Sequence, residues 1–521
     1  MVSSGRVGDR SLAPMSLQRL DVPALRQALR AANYTIDAVL DRIGQAGQQG
    51  LQRNSTIPAL VAIESHDDPQ ATLIKLWLLQ RAVPRDAAAA ALPLDNLVDA
   101  AFLTVGDEQV RALVDVRPYG AEGPDADRSE AGGSGADDAT ELDAWVVSDL
   151  TPGLDQVVTR TRPDYVLGVS PASSSLTQMT IPTHVGSALD LGTGCGVQSL
   201  HLAAHADRVV ATDINPRALQ MAAIAAELNQ TDYEVRAGSL FEPVAGQRFD
   251  LVVTNPPYVM SPPTTEGERL VYREGTLAGD GLVRTIITQS VDHLTDGGTL
   301  QVLGNWAITA DQPWQDRLAS WAPPGCDLWV VERERLDVHH YIEVWLTDAG
   351  LAGSPEWEPR YREWLDYFDQ LGIVGVGMGW LTVTRANRAE PIVRVESWPY
   401  EVSQPVGAAI AEHQQCWTNA ALPTAELLGR NWQLAAHVTQ EALGEPGAQD
   451  PQHIVLRSGA GLRRAMEVDT ALGGVLGACD GDLALGQITA ALAQILELDE
   501  AELVASVEPG IRQALRDGLL G

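Results

Sequence analysis

Residues 188–258 decide the fold, and three segments within them follow one pattern. They read Ala-Leu-Asp-Leu-Gly-Thr-Gly-Cys-Gly at 188–196, Val-Val-Ala-Thr-Asp at 209–213 and Phe-Asp-Leu-Val-Val-Thr-Asn-Pro-Pro-Tyr at 249–258. Each segment is a short apolar run that ends in a polar or glycine-rich turn. Buried parallel strands have this pattern, and they carry functional groups to the carboxyl edge of a sheet. The spacing therefore predicts an α/β fold of alternating strands and helices, with a ligand site at one edge.

The composition describes a large chain of ordinary apolar content. With 521 residues it should contain more than one domain. Its four cysteines are scattered, which predicts neither disulfides nor a metal site. No apolar run approaches the ~20 residues of a membrane span, and Met1–Pro14 lack the apolar stretch of a signal peptide. We therefore expect a cytoplasmic, reduced protein that does not associate with membranes.

The formal charge of −33 is the strongest compositional feature. Affinity for nucleic acids is largely electrostatic, so a surface of this charge repels phosphate backbones. A local basic groove would still permit RNA binding. The charge therefore disfavours a nucleic-acid substrate without excluding one.

Residues 1–118 are predicted to form an N-terminal helical domain that ends in a strand. Each of its helical patterns has a capping residue or an apolar face of its own. The patterns begin near Asp21, Thr35, Asp68 and Asp95. The second of these helices should stop at Gly44. The alternation over Val110–Val116 predicts a strand, which could pair with Trp145–Val147 as a hairpin. Helices followed by a hairpin suggest a winged-helix-like domain, and the acidity favours protein docking or substrate recognition over DNA binding.

Three further regions complete the predicted domain organisation. Residues 119–143 are rich in Gly, Asp and Glu and have almost no large apolar side chain, which predicts a disordered acidic loop. The central domain is expected at 144–400. Residues 401–521 should form a mainly helical domain, again winged-helix-like, because the predicted strand Leu462–Val468 precedes three helical patterns.

Two segments of the central domain allow two interpretations each. The hydroxyl-rich stretch Ser170–Thr177 is predicted to be a polar connector, although it could be a lid over a cofactor. Trp357–Phe368 has aromatic residues at helical spacing. We expect a helix that packs its aromatic face on the sheet, and the alternative is a cap over the substrate entrance.

The loop Asp190–Gly196 follows a strand and should open a helix at Val197. Glycine lets the backbone bend tightly and approach a ligand closely. The third glycine comes one residue earlier than in the dinucleotide-binding pattern, and an acid before the loop suits an ammonium group better than two phosphates. The loop, including Thr193, is therefore a candidate site for a ligand that carries an amine.

A second set of candidate residues suits a nucleoside. Asp213 ends the second strand, where a carboxylate can accept two hydrogen bonds from the hydroxyls of a ribose, and Ile214 follows it. The alternative for Asp213 is an ordinary surface aspartate. Ser239 and Leu240 come after the strand-like residues 233–236, where an adenine could lie.

The most specific motif is Asn255-Pro256-Pro257-Tyr258. The prolines fix the backbone and remove two N–H donors. The side-chain oxygen of Asn255 and the carbonyl of Pro256 can then both accept hydrogen bonds from one NH2 group, while Tyr258 offers a flat face for a planar group. A planar nitrogen is a poor nucleophile, so alignment with an electrophilic methyl would supply much of the acceleration. The motif predicts methylation of an amide or amino nitrogen.

Together these motifs resemble class I S-adenosylmethionine-dependent methyltransferases with an N-P-P-Y signature. Arg273-Glu274-Gly275 and Gly279-Asp280-Gly281-Leu282 are most similar to the HemK/PrmC-type enzymes, which methylate a glutamine amide of peptide release factors. The resemblance covers about residues 188–305, well under half of the chain. It implies a Rossmann-like, seven-stranded sheet with a last, antiparallel strand at Ile373–Thr384.

The resemblance also implies roles for the candidate residues. S-adenosyl-L-methionine would be the cofactor. Its methionine part, ribose and adenine would be bound by Asp190, Gly192, Thr193, Gly194, Gly196, Asp213, Ile214, Ser239, Leu240 and Asn255. The target nitrogen would be bound by the catalytic residues Asn255, Pro256 and Tyr258.

The methyl acceptor is the least determined feature. The first expectation is a glutamine-type amide of a protein or peptide. Alternatives are an exocyclic amine of a ribosomal-RNA base, a small molecule, or no acceptor at all in a protein that only binds the cofactor. The sequence leaves the oligomeric state open.

Overall fold

The computed structural model describes residues 19–121, 142–157, 161–263, 271–275, 277–445 and 453–521. These residues fall into two compact units. The first joins residues up to Leu176 with Val185–Ser397, and the second joins Thr177–His184 with Trp398–Gly521. The predicted domain boundaries at 118, 143 and 400 stay predictions. The N-terminal helices and the large sheet belong to the same unit.

The N-terminal part of the first unit consists of short helices and two small sheets. Its helices are α1 (Val22–Ala31), α2 (Ile36–Gln52), α3 (Ile57–Ile63), α4 (Pro69–Leu73), α5 (Arg85–Ala91) and α6 (Leu94–Asp99), and a π-helical turn, Ile74–Leu78, extends α4. Its strands are β1 (Val83–Pro84), β2 (Leu103–Gly106), β3 (Gln109–Ala112), β4 (Asp115–Ala121) and β5 (Leu142–Ser148). The two sheets have the orders β1-β3-β2 and β4-β5.

The predicted helix starts are largely confirmed, and so is the predicted stop at Gly44. The carboxylate of Asp21 accepts a hydrogen bond from the backbone N–H of Ala24 and so caps α1. Gly44, with a φ of +65° and a ψ of 176°, interrupts the helical backbone, so the predicted stop is confirmed. A second helical segment follows the kink within α2 and runs to Gln52. The continuation is stabilised by packing, since a Cβ at Gly47 would lie 3.1 Å from the Cα of Ala59 in α3.

The predicted hairpin is confirmed, although its first strand is divided. Residues 110–116 form the end of β3 and the start of β4, and Val116 of β4 lies opposite Val147 of β5. Residues 122–141 of the predicted acidic loop lie outside the described residues. The ends of that predicted loop, 119–121 and 142–143, are strand instead, because they extend the β4–β5 ladder.

The remainder of the first unit is a large sheet with helices around it. Its strands are β6 (Ala188–Leu191), β7 (Val209–Asp213), β8 (Glu234–Ala237), β9 (Phe249–Thr254), β10 (Leu294–Thr309), β11 (Asp327–Asp337), β12 (Ile373–Thr384) and β13 (Val393–Ser397). Its helices are α7 (Pro171–Met179), α8 (Val197–Leu202), α9 (Pro216–Asn229), α10 (Gly281–Gln289), α11 (Trp314–Ala319), α12 (Val338–Asp348) and α13 (Trp357–Leu371). Three 3-10 turns, Leu154–Gln156, Glu242–Val244 and Ser290–His293, join them.

The sheet has eight strands in the order β13-β11-β12-β10-β9-β6-β7-β8. Strands β8, β7, β6, β9 and β10 are parallel, whereas β12 runs antiparallel to both β10 and β11. This order confirms the predicted Rossmann-like α/β fold and the predicted antiparallel strand at Ile373–Thr384. The eighth strand, β13, pairs in parallel with β11 and was not predicted.

Two apolar clusters pack against the sheet. Ile286 of α10 and Leu318 of α11 are fully buried with sheet residues such as Val302. In the second cluster, Trp364 and Phe368 of α13 are buried with residues of α12 and β12. Full burial of each such side chain stabilises the fold by about 1.5–3 kcal/mol. The predicted helix over the aromatic segment is therefore present, with its aromatic face on the protein.

The second unit is smaller and mixed. Its helices are α14 (Gly407–Ala420), α15 (Thr424–Gly429), α16 (Thr470–Gly477), α17 (Leu485–Leu496) and α18 (Glu500–Arg516). Its strands are β14 (Asn431–Gln433), β15 (Val438–Leu443), β16 (His453–Ser458), β17 (Ala465–Val468) and β18 (Asp480–Ala484). The predicted strand before three helices corresponds to β17, whereas β14, β15, β16 and β18 were not predicted. Throughout the residues that the structure describes, no helix has both the length and the apolar character needed to cross a membrane.

Candidate functional site

A cavity of about 350 Å³ lies where strands β6, β7 and β9 end at the carboxyl edge of the sheet. All but two of the predicted site residues line it. The lining residues among them are Asp190, Gly192, Thr193, Gly194, Asp213, Ile214, Ser239, Leu240, Asn255 and Pro256. Gly196 and Tyr258 are absent from the described lining. The three strand ends singled out in the sequence thus meet at one cavity.

The three glycines of the loop after β6 have two different functions. Gly192 and Gly194 adopt φ values of +81° and +56°, and a Cβ at either position would have no atom of the other described residues within 4 Å, its chain neighbours aside. Their backbone therefore borders open space, where a ligand can approach closely. Gly196 has a φ of +86°, and its Cβ would lie 2.7 Å from the hydroxyl of Tyr233 and 3.2 Å from the Cα of Ala222. This third glycine allows close packing against α9.

Asp190 is buried at the bottom of the loop. Its carboxylate accepts hydrogen bonds of 2.7 Å from the hydroxyls of Thr193 and Ser199. Burial raises the pKa of Asp190 to about 6, because the ionised form is separated from water. The hydroxyl of Thr193 thus donates its hydrogen bond to Asp190, and this bond helps to fix the conformation of the loop.

Asp213 connects the second strand end to the glycine loop. Its two carboxylate oxygens accept hydrogen bonds from the backbone N–H groups of Gly194 (2.9 Å) and Asn215 (2.8 Å). Burial raises the pKa of Asp213. Each carboxylate oxygen can accept a further bond, so the group can still bind a diol. Ile214, beside it, is 54% exposed at the cavity.

Asn255 is held at the third strand end by two prolines. Its side-chain oxygen, Oδ1, is buried and has no hydrogen-bond partner among the residues that the structure describes. Buried polar atoms are nearly always hydrogen-bonded, and an unsatisfied one costs about 1–3 kcal/mol. An acceptor atom of this kind in a cavity wall indicates a binding site for a donor.

Tyr258 is the one member of the motif that does not line the described cavity wall. Its ring packs against Trp345 of α12 with the centroids 6.3 Å apart at 71°, and burial raises the pKa of its hydroxyl. The neighbouring hydroxyl of Tyr341 accepts a hydrogen bond from the backbone N–H of Met260 (3.0 Å). The structure does not bring Tyr258 to the described cavity wall, so its predicted role stays a prediction.

Sequence reasoning missed two walls of the cavity. Tyr165–Gly168 form one, and Val271, Tyr272, Glu274 and Gly275 belong to the other. Neither segment follows a predicted strand of the motif pattern. The stretch Ser170–Thr177 was predicted as a polar connector, but all of it after Ser170 is helical and belongs to α7. Ser173 lines the cavity, and its carbonyl accepts a hydrogen bond from Gln198 (2.8 Å).

The first missed wall is anchored by a buried ion pair. Arg217, in the first turn of α9, contacts both oxygens of Asp149, with its Nη2 atom 2.5 Å from Oδ1. Oδ2 of the same carboxylate accepts the backbone N–H of Val166 at 2.8 Å. The side chain of Asn215 also donates to the carbonyl of Asp164 (3.0 Å). These contacts hold residues 164–166 against the start of α9.

The charge of the cavity is one-sided. Its charged lining residues within the described ranges are Asp190, Asp213 and Glu274, and no arginine, lysine or histidine is among them. Residues of α12 and α13 are absent from this lining as well. The wall is suited to ligands with positive charge or N–H and O–H donors, and it offers no cation to a phosphate.

Comparison with protein families assigns the part of the chain that surrounds this cavity. Residues 168–320 match the model of the methyltransferase small domain, and residues 31–113 match a domain of unknown function. The second match covers α2–α6 and the first two strand pairs of the N-terminal region. The first begins inside the wall formed by Tyr165–Gly168.

Three curated proteins illustrate the similarity. The chain is 34% identical to the ribosomal protein uL3 glutamine methyltransferase of Bradyrhizobium diazoefficiens, over 27% of this chain and 47% of that protein. It is 35% identical to the release factor glutamine methyltransferase of Geobacter sulfurreducens, over 23% of this chain and 45% of that protein. It is 30% identical to the ribosomal RNA small subunit methyltransferase C of Salmonella arizonae, over 26% and 36%. The chain thus spans less than half the length of these relatives.

One solved structure gives a weaker comparison. The T. thermophilus 16S rRNA N2 G1207 methyltransferase, in complex with AdoMet and guanosine, aligns over 46% of this chain and 59% of that chain. The identity is 16% and the TM-score is 0.25.

Proposed function

We propose that this chain, which carries a methyltransferase domain of the class I, N-P-P-Y type with S-adenosylmethionine as its cofactor, methylates a planar nitrogen. The acceptor that fits best is a glutamine-type amide of a protein. The curated relatives named above include two glutamine methyltransferases, one acting on a ribosomal protein and one on release factors. Their similarity to the methyltransferase domain of this chain supports the N-P-P-Y type. The acceptor itself is inferred from the lining of the cavity.

One observation carries the proposal: the buried, unpartnered Oδ1 atom of Asn255 in the cavity wall. A hydrogen bond from an N–H donor of the acceptor would satisfy it. Pro256, next in the chain, has a carbonyl but no N–H. It can therefore accept a hydrogen bond from a ligand, and it has no backbone donor that would compete for the oxygen of Asn255. An NH2 group bound here would be oriented by its donors, with its lone pair left for the methyl group.

The residues around the cavity fit S-adenosylmethionine. Gly192 and Gly194 leave open space for a bulky ligand, the Asp213 carboxylate can accept bonds from a ribose diol, and the acidic wall suits an ammonium and a sulfonium. When bound, the cofactor supplies a methyl group whose C–S bond electrons remain on sulfur as the N–C bond forms, leaving S-adenosylhomocysteine and a proton. The contribution of this chain is to hold and align the two groups.

A protein amide is favoured over an RNA base by charge. The lining described for the cavity has three acids and no basic residue, and the chain has a net charge of −33. A nucleotide acceptor brings at least one phosphate near the site, which such a wall repels. Because one relative is a ribosomal RNA small subunit methyltransferase, an amine of an RNA base is the second candidate acceptor.

The test uses tritiated S-adenosylmethionine, the full chain and two potential acceptors, glutamine-containing synthetic peptides and ribosomal RNA. We expect label in peptide and not in RNA. Asn255→Ala should lower methyl transfer about 10²–10³-fold, since one positioned polar group is removed from the reacting centre. Calorimetry should find cofactor binding nearly unchanged in this variant.

Three outcomes would contradict the proposal in different ways. Label in RNA alone would replace the amide by a base amine. Undiminished transfer by Asn255→Ala would overturn the role of the N-P-P-Y turn. Cofactor binding without transfer to any acceptor would indicate a protein that only binds S-adenosylmethionine.

A further inference from the structure

The cavity has an aromatic wall that does not involve Tyr258. Tyr165 and Tyr272 both line it, and their rings meet edge to face with centroids 5.3 Å apart at an angle of 63°. Tyr165 is 6% exposed, and its hydroxyl donates to the carbonyl of Leu150 at 3.3 Å. Tyr272 is half-buried, so part of its ring is free to contact a ligand.

The segment that carries Tyr272 runs directly beside the N-P-P-Y turn. The backbone N–H of Val259 donates to the carbonyl of Arg273 at 2.9 Å, and Val259 and Glu274 form a parallel bridge. A Cβ at Gly275 would lie 3.2 Å from the carbonyl oxygen of Pro257. This close approach places Tyr272 next to the residues that would receive the acceptor nitrogen.

A network of ion pairs fixes this segment. Arg273 is buried, with its Nη1 atom 2.7 Å from Oδ2 of Asp348 and its Nη2 atom 3.2 Å from Oε1 of Glu274. Nη1 also donates to the carbonyl of Trp345 at 3.2 Å. Burial and the nearby Asp348 raise the pKa of Tyr272 to about 12, so its ring stays neutral. The two residues that follow Tyr272 in the chain are therefore held in place.

We propose that Tyr272 binds the acceptor, with its ring face against the planar amide, while Tyr165 supports the ring from the opposite wall. The proposal rests on the proposed function above and names the residue that selects a planar group. Tyr258, whose ring packs on Trp345, then stabilises the turn from behind. A flat amide can lie parallel to such a ring face and contact it over its whole plane.

The experiment measures KM and kcat for a glutamine-containing peptide, identified from a library of synthetic peptides with one glutamine each, using tritiated S-adenosylmethionine. Tyr272→Ala should raise KM for the peptide about tenfold, the typical value of one aromatic contact. Tyr272→Phe keeps the ring and should restore most of that loss. Tyr400→Ala, which removes an exposed ring of the second unit, is the matched control.

The donor side provides the second measurement. Calorimetric titration with S-adenosylmethionine should give similar affinities for the wild-type chain, Tyr272→Ala and Tyr272→Phe. If Tyr272→Ala weakens cofactor binding as much as it weakens transfer, the ring contacts the cofactor and the proposal is overturned. Unchanged KM in a folded Tyr272→Ala also overturns it, and leaves the proposed function intact. A wild-type chain that binds the cofactor but methylates no peptide overturns both.

Discussion

The two sides of the cavity differ in how their polar groups are satisfied. On the donor side, the carboxylates of Asp190 and Asp213 accept hydrogen bonds from the glycine loop and from the starts of α8 and α9. On the acceptor side, Oδ1 of Asn255 has no partner among the described residues. Under the proposed function, the donor side is therefore preorganised by the protein, whereas the acceptor side would be completed by the substrate.

This difference has a physical consequence for specificity. A site whose polar groups already have hydrogen-bond partners within the protein discriminates only weakly between similar ligands. A buried acceptor atom without a partner penalises every molecule that lacks the matching donor. We expect the chain to reject an ester analogue of its amide substrate more strongly than it rejects analogues of the cofactor.

The largest effect is expected from removing the Asp149–Arg217 ion pair, which anchors the cavity wall formed by Tyr165–Gly168. Asp149→Ala leaves Arg217 as an unpaired charge in a site where both side chains are at most 13% exposed. We expect the free energy of unfolding to fall by about 3–5 kcal/mol, and the affinity for the cofactor to fall with it, because Val166 loses its hydrogen-bond acceptor. Urea denaturation and calorimetry measure the two effects.

Asp164→Ala is the matched control for that change. Its side chain forms a surface ion pair with Arg162, at 54% and 43% exposure, so its loss should cost less than about 1 kcal/mol. Equal destabilisation by the two substitutions would show that the wall is not held by the buried pair.

A smaller effect, confined to the donor side, is expected from Asp213→Ala. Under the proposed function this carboxylate would accept two hydrogen bonds from a ribose, so its loss should weaken cofactor binding by about 2–3 kcal/mol, or about 30–150-fold. At saturating cofactor the rate should be nearly that of the wild-type chain, in contrast to Asn255→Ala. Asp232→Ala, an exposed aspartate after α9, is the control. A fall in the saturated rate as large as that of Asn255→Ala would remove the distinction between the two sides.

The smallest effect is a pH dependence that originates at Asp190. Its pKa is raised to about 6 in the folded chain, against ~3.9 when unfolded. The folded state therefore binds the proton more tightly, and the free energy of unfolding should decrease by about 1–3 kcal/mol as the pH rises from about 4 to about 6. Asp190→Asn should lack this decrease. Parallel pH profiles of the two chains in urea denaturation would contradict the assignment.

The donor side was predictable because its signals are local. Gly192, Gly194 and Asp213 follow apolar strands directly, and the carboxyl ends of neighbouring parallel strands must meet at one edge. The same logic predicted Asn255 and Pro256. The strand Ile373–Thr384 came from the family resemblance, and the sheet order confirms it.

The rest depends on contacts between distant parts of the chain. Tyr165 and Tyr272 reach the cavity because Asp149 and Arg273 are paired with residues far away in sequence, and no local pattern reveals such pairing. The orientation of Tyr258 is set by Trp345, from a helix inserted between β11 and β12. The helical segment after Gly44 likewise packs on α3 through Gly47, a contact that no local pattern reveals.

The order of strands also determines where this chain can be divided. The family match ends at residue 320, but β12, from residues 373–384, lies between β10 and β11 and pairs with both. A recombinant fragment of residues 168–320 would expose the full edge of β10, a template for aggregation, and would lack the wall contributed by Tyr165 and Val166. Grafting this module into another protein would therefore require β12 and the residues around Tyr165 as well, because β12 fills the gap between two strands that precede it in sequence.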